Sequence, residues 1–190
     1  PAPRVIEATR GTARTGADEY TRGNGNAGYH VTSYELERRY RVATNRLEGI
    51  AVITATTTTE LTKLVLDLSK LRASKVKLRG SRSLKFSQTA TKLTISLPDP
   101  VAAGTELRLT VDYAGAPGPR SSQWGPVGWE ELDDGILVAA QPTGASTWFP
   151  CNDTVADKAT FDIHFSADQA YTVICNGMLT EHRIASGRGH

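Results

Sequence analysis

Glu106-Leu-Arg-Leu-Thr-Val-Asp-Tyr113 alternates apolar and polar residues without a break. Leu107, Leu109, Val111 and Tyr113 fall on one face, and the residues between them fall on the other. A period of two is the mark of a half-buried strand. The same period recurs in both directions along the chain. Upstream, Tyr34, Leu36, Tyr40 and Val42 share a face, and Leu47 to Ala55 forms a second strand after a turn at Thr44-Asn45. Leu64, Leu66 and Leu68 alternate with Val65 and Asp67. Val76 and Leu78 make a short strand that turns at Arg79-Gly80-Ser81, and Leu93, Ile95 and Leu97 end at Pro98-Asp-Pro100. Downstream, Ile136 to Ala140 follows an Asp133-Asp-Gly135 turn, and Phe161, Ile163 and Phe165 alternate again. Tyr171, Val173 and Cys175 lead into Asn176-Gly177, a hairpin signal with Met178 to Ile184 as the returning strand.

Helical periodicity is almost absent. The pattern predicts an all-β fold, a sandwich or saddle of mostly antiparallel strands. Residues 29–184 form that unit. Residues 1–28 read as a loop-like arm rich in Gly, Ala, Thr, Arg and Asn, with at most a short helix over Val5 to Arg14. Residues 185–190 have lost the strand pattern and fit a turn whose next strand is missing, a sign of truncation. Ala114 to Trp129 reads as one long loop holding Trp124 and Trp129.

The chain has 190 residues, 22 basic and 20 acidic, for a formal charge of +2. That balance is not a nucleic-acid footprint. The denser basic run from Lys70 to Lys85 reads as a solvated strand face. No run of about 18 apolar residues is present, the length a spanning helix needs. The two cysteines, Cys151 and Cys175, make no disulfide framework, and free buried thiols are the default expectation. The compartment stays open between cytoplasm and secretion.

Catalytic patterns are missing. The histidines are His30, His164, His182 and His190, and no His-Glu-x-x-His occurs. His164 has the opposite parity to Ile163 and Phe165 and is expected to face solvent. Gly144-Ala-Ser146 is not a nucleophile elbow. Cys151 has no histidine in a supporting pattern, so a structural role is expected. Gly23-Asn-Gly25 precedes no helix and is no phosphate loop. Asn152-Asp-Thr154 is formally a glycosylation sequon, and Trp124 with Trp129 is formally an aromatic platform.

One motif is more specific. Gln141-Pro-Thr-Gly-Ala-Ser-Thr-Trp-Phe-Pro-Cys-Asn-Asp153, followed by Lys158-Ala-Thr-Phe161, resembles the signature that closes the N-terminal β domain of aminopeptidase N-like zinc metallopeptidases. The resemblance extends over about residues 28–184. It implies a saddle-shaped β sandwich packed on a catalytic domain that lies beyond residue 190. Zinc, its ligands and the peptide-cleaving chemistry would belong to that domain, and this chain alone would carry none of them. The resemblance also implies that Gln141, at the head of the signature, contacts the α-amine of a peptide substrate. Trp148 becomes a candidate wall of the neighbouring S1 subsite. Thr143, Phe149, Pro150, Cys151, Asp153, Lys158 and Phe161 read as architecture: Phe149 and Phe161 in the core, Asp153 as a turn acceptor, and Lys158 paired with Asp153 or Asp157. Gly144, Ser146 and Thr154-Val155 depart from the signature, so its usual Asp–Arg pair is absent. The competing reading is a β-sandwich module that binds carbohydrate or protein through the Trp124/Trp129 loop. An exposed, coplanar Trp124/Trp129 pair would favour that module, and buried tryptophans would favour the peptidase domain.

Overall fold

The computed structural model describes residues 11–12, 21–79 and 82–184. Thirteen strands follow in chain order: β1 (Gly11–Thr12), β2 (Tyr29–Arg41), β3 (Arg46–Thr57), β4 (Leu61–Asp67), β5 (Arg72–Leu78), β6 (Arg82–Ser83) and β7 (Phe86–Gln88). The rest are β8 (Lys92–Val101), β9 (Glu106–Gly115), β10 (Arg120–Ser122), β11 (Gly125–Glu131), β12 (Ile136–Ala139) and β13 (Thr160–Ser166). The expected all-β fold is what forms. A six-stranded sheet runs β13-β2-β3-β9-β5-β6, a four-stranded sheet β1-β4-β8-β7, and a three-stranded sheet β10-β11-β12. Pairing is antiparallel except for β13 on β2 and β1 on β4.

Alternation decides which face is buried. Leu47, Ala51, Ile53 and Ala55 of β3 join Leu107, Leu109, Val111 and Tyr113 of β9 on the inner face of the six-stranded sheet. Leu64, Leu66, Leu93, Ile95 and Leu97 meet them from the four-stranded sheet, in one continuous core. Each fully buried side chain of this size contributes roughly 1.5–3 kcal/mol. In β2 the buried set changes parity, from Tyr29 and Val31 to Tyr34, Leu36, Arg38 and Tyr40. An irregularity in the pairing with β3 between Val31 and Ser33 absorbs the extra residue, as a bulge does. β4 is buried on both faces from Leu64 to Asp67, so Asp67 lies inside rather than alternating outward.

Several expectations change here. Gly11–Thr12 is strand rather than helix, and the rest of Val5 to Arg14 lies outside the described residues. The Ala114 to Trp129 stretch is not one loop, because β10 and β11 form a hairpin in it. Their short, Gly- and Pro-containing strands show no period. Residues 171–184 form no strands, although Gly177 takes the positive φ (+102°) of a turn. An isolated hairpin is marginal in water, and no described strand pairs with this one. Cys175 is therefore exposed, against the expectation of burial, and Ile174 is 91% exposed. Phe161 is 53% exposed because β13 is an edge strand, though its ring stacks on Tyr34 at 5.1 Å. Residues 185–190 and the Gly80-Ser81 turn lie outside the described residues. The cationic side chains of Lys70, Arg72, Lys75, Arg79, Arg82 and Lys85 are exposed. No helix among the described residues is long and apolar enough to cross a membrane.

Candidate functional site: the Gln141–Asp153 turn

The site is built on a carboxylate. Asp153 is buried, and it accepts the Gly144 N–H at 3.1–3.2 Å, the Ser146 N–H at 3.4 Å and the Ser146 hydroxyl at 2.8 Å. Arg120 of β10 lies 3.9 Å away. Converging N–H groups of this kind satisfy a carboxylate and fix the loop that carries them. Asp153 is thus the turn acceptor that its sequence position suggests. Ala145–Thr147 forms one 3₁₀ turn inside this loop.

The turn is pressed against the three-stranded sheet. Thr147 donates to the Gly144 carbonyl at 2.7 Å and accepts the Trp129 N–H at 2.9 Å. Gly128 has φ of +96°, and a Cβ there would meet Thr147 Oγ1 at 2.3 Å and the Gly144 carbonyl at 2.8 Å. Only glycine permits this approach. Gly128 pairs with Ala139 at the end of β12, and Gln141 follows. Gln141 is exposed and precedes a cis Pro142. An exposed amide therefore stands at the rim of a rigid frame.

The far end of the turn is tied into the core. Cys151 and Asp67 exchange backbone hydrogen bonds of 2.7 and 3.0 Å, and Phe149 is a core residue. Asp67 accepts the Asp153 N–H at 3.1 Å, the Gly25 N–H at 3.1 Å, Asn26 Nδ2 at 2.9 Å and Lys92 Nζ at 2.6 Å. Burial holds Asp67 above the usual carboxylate range, with Lys92 opposing it. Asn152 Oδ1 accepts the Asn26 N–H at 2.7 Å, and the Asn152 backbone N–H donates to the Tyr34 hydroxyl oxygen at 3.0 Å. The end of the arm, β2, β4 and β8 thus converge on the signature. The Asn152 side chain is committed inward, so the asparagine of the sequon is buried.

Thr143 and Pro150 are buried, as architecture requires. Lys158 is not placed as expected: it is exposed, and Asp157 is taken by His30, the Val31 N–H and Asn152. Burial pushes the Cys151 thiol well above its ordinary value, with Asp153 and Asp67 adding to the effect. A thiol so raised is a poor nucleophile. Trp148 is half-buried, edge-on to Phe149 at 4.7 Å. Trp129 is 0% exposed and Trp124 50% exposed, so the two present no joint platform. His164 is exposed beside Asp162. No cluster of three metal-ligating side chains exists among the described residues, so these residues do not fit a zinc ion.

Arg38, Asn26, Asp67 and Lys92 escape a motif-based reading. The parity of Tyr34, Leu36 and Tyr40 does signal that Arg38 faces inward. Nothing in the sequence pairs Asp67 with Lys92.

The described residues thus form an all-β frame that carries an exposed amide just past β12, on a turn clamped by Asp153. Residues 30–188 match the Peptidase M1 N-terminal domain. Among solved structures, a mutant two-domain M1 zinc metallopeptidase bound to L-arginine is 28% identical at a TM-score of 0.78, over 83% of this chain and 37% of that one. A mutant M1 zinc metallopeptidase from Deinococcus radiodurans, bound to a Tyr-Ser-Ala substrate, is 29% identical at 0.72, over 78% and 34%. A mutant two-domain relative bound to L-tryptophan is 32% identical at 0.67, over 73% and 32%. No curated protein matches the sequence. The chain spans about a third of the length of the structures it matches. It belongs to the Peptidase M1 N-terminal domain family.

Proposed function

We propose that this chain is the non-catalytic N-terminal domain of a zinc aminopeptidase, in which Gln141 receives the α-ammonium group of a peptide substrate. The observation that supports this most directly is the exposed Gln141 at the end of β12, on a turn clamped by Asp153, in a chain of this family. Residues 29–184 would be the domain proper, with residues 1–28 as its arm. Zinc and the scissile-bond chemistry would come from polypeptide outside this chain, in keeping with the lack of a metal-ligating cluster among the described residues.

The physics of the role is simple. An aminopeptidase must distinguish a free amino terminus from an internal amide. The Gln141 side-chain carbonyl can accept one N–H of the ammonium, a charge-assisted bond worth roughly 1.5–3 kcal/mol. Being neutral, it leaves charge pairing to other groups. The clamped turn fixes the backbone near the acceptor, so that chiefly the side chain of Gln141 remains to be ordered on binding. Trp148 would line the S1 subsite only through the part of its indole left exposed.

The test is kcat/KM of the full-length enzyme on aminoacyl chromogenic substrates. Gln141→Ala is expected to lower it by roughly 10- to 100-fold, and Gln141→Glu to retain more of it. An unchanged kcat/KM in Gln141→Ala would remove Gln141 from the site.

A further inference from the structure

Most edge strands of the three sheets are too short to template another chain. Among the described residues, β1 and β6 have two residues each, β7 and β10 three, and β12 four. β13 is the exception, an edge strand of seven residues. It pairs in parallel with β2 from Ser33 to Arg39 without a bulge. Its other side therefore presents a regular row of backbone N–H and C=O groups, and no described strand answers them. Edges of this kind are ordinarily blunted by lysine, proline or a bulge, and β13 has none of the three.

The chain turns away as soon as β13 ends. Asp168 Oδ2 accepts the Val42 N–H at 3.3 Å, and the Asp168 carbonyl accepts the Tyr171 N–H at 3.0 Å. The Tyr171 side chain then bonds to Asp134, in the turn before β12. Residues 171–184 form no strand against β13.

The side chains of β13 are complementary to themselves. With a second copy laid antiparallel and the two Ile163 residues opposite each other, Asp162 of each copy faces His164 of the other, and Phe161 of each faces Phe165 of the other. Asp162 and His164 share the solvent face, with side chains 68% and 70% exposed. A carboxylate accepts from a neutral or a protonated imidazole alike. Phe161 is 53% exposed on the other face, where Ile163 and Phe165 are half-buried. Opposite-charge and aromatic pairs both stabilise an antiparallel ladder. Centring the pair on Asp162 or on His164 instead would set like groups opposite each other, so the Ile163 register is selected.

We propose that β13 is a self-association edge, through which two copies of this chain join antiparallel about Ile163 and merge their six-stranded sheets into one.

Sedimentation velocity of the protein over a concentration series reads the association. The expected result is a reversible monomer–dimer equilibrium that approaches twice the 20.5 kDa of the chain. His164→Asp sets carboxylates opposite each other in both charged pairs and raises the dimer Kd by roughly 10- to 30-fold. The double variant Asp162→His/His164→Asp re-creates both pairs and restores the parent association, which a change in folding alone would not. With Cys175→Ser removing the exposed thiol, Ile163→Cys forms an interchain disulfide under mild oxidation, because opposite residues of such a pair stand about 4.5–5.5 Å apart at Cα. A protein that stays monomeric at every concentration overturns the proposal and means that something other than a second copy closes this edge. A dimer indifferent to His164→Asp also overturns it, and moves the contact to another surface, such as the exposed Ile174 and Met178.

Discussion

At the residue scale, Asp153 organises the candidate site. Its carboxylate gathers the Gly144 and Ser146 N–H groups, the Ser146 hydroxyl and Arg120 into one cluster. Removing it leaves buried donors with no acceptor, at a cost of roughly 1–3 kcal/mol for each group. Asp153→Ala is expected to destabilise the protein by about 2–4 kcal/mol, read from the urea midpoint at unchanged m. Asp153→Asn should lose less, because its side-chain oxygen still accepts. Equal stability of Asp153→Ala and the parent would mean that the turn is held by Thr147 and Gly128 alone. The sequence made the acceptor role of Asp153 legible, because an aspartate at the end of a Gly- and Ser-containing turn has few other uses. It did not make Phe161 legible. The alternation with Ile163 and Phe165 is real, but an inward face is buried only where something covers it, and β13 lies at a sheet edge.

At the element scale, β4 and β8 are joined by a buried ion pair as well as by their ladder. Lys92 Nζ lies 2.6 Å from Asp67 Oδ1, and the Lys92 side chain also reaches the Gly25 carbonyl and Asn26 Oδ1. Breaking such a pair from one side leaves a charge buried and unpaired. Lys92→Met is expected to cost about 3–5 kcal/mol, and adding Asp67→Asn should recover a large part of the loss. Additive single losses in that double-mutant cycle would show that the pair does not couple the strands. Neither residue announces itself in the sequence. Asp67 falls on the polar phase of an alternating strand, and only the packing of the 21–28 segment over β4 turns that phase inward. The 171–184 segment shows the converse. Asn176-Gly177 has the right turn chemistry, yet a hairpin becomes stable only when a sheet or core receives it.

At the scale of the whole molecule, buried phenols make stability depend on alkaline pH. Burial raises Tyr29, Tyr34 and Tyr113 above their ordinary value, with neighbouring groups adding for Tyr29 and Tyr34 and Arg38 opposing for Tyr113. Unfolded tyrosines ionise near about pH 10. The folded state keeps protons there that the unfolded state releases, so this contribution is whole below pH ~10 and is lost as pH rises further. The denaturation midpoint is expected to drop steeply above pH ~10, with tyrosinate absorbance and loss of structure appearing together. Gradual ionisation of these phenols in a folded chain would contradict their burial. What the sequence determined by itself was periodic and local: strands from alternation, turns at Asn45 and Gly135, Phe149 in the core, and the family from a signature of fixed spacing. Tertiary structure alone decided the rest. It set which strand became an edge and which hairpin formed. It also decided that Asp67, Lys92 and Arg38 would carry charge into the interior. The physical reason is that burial of a polar group depends on partners distant in sequence, and no local period encodes where those partners will stand.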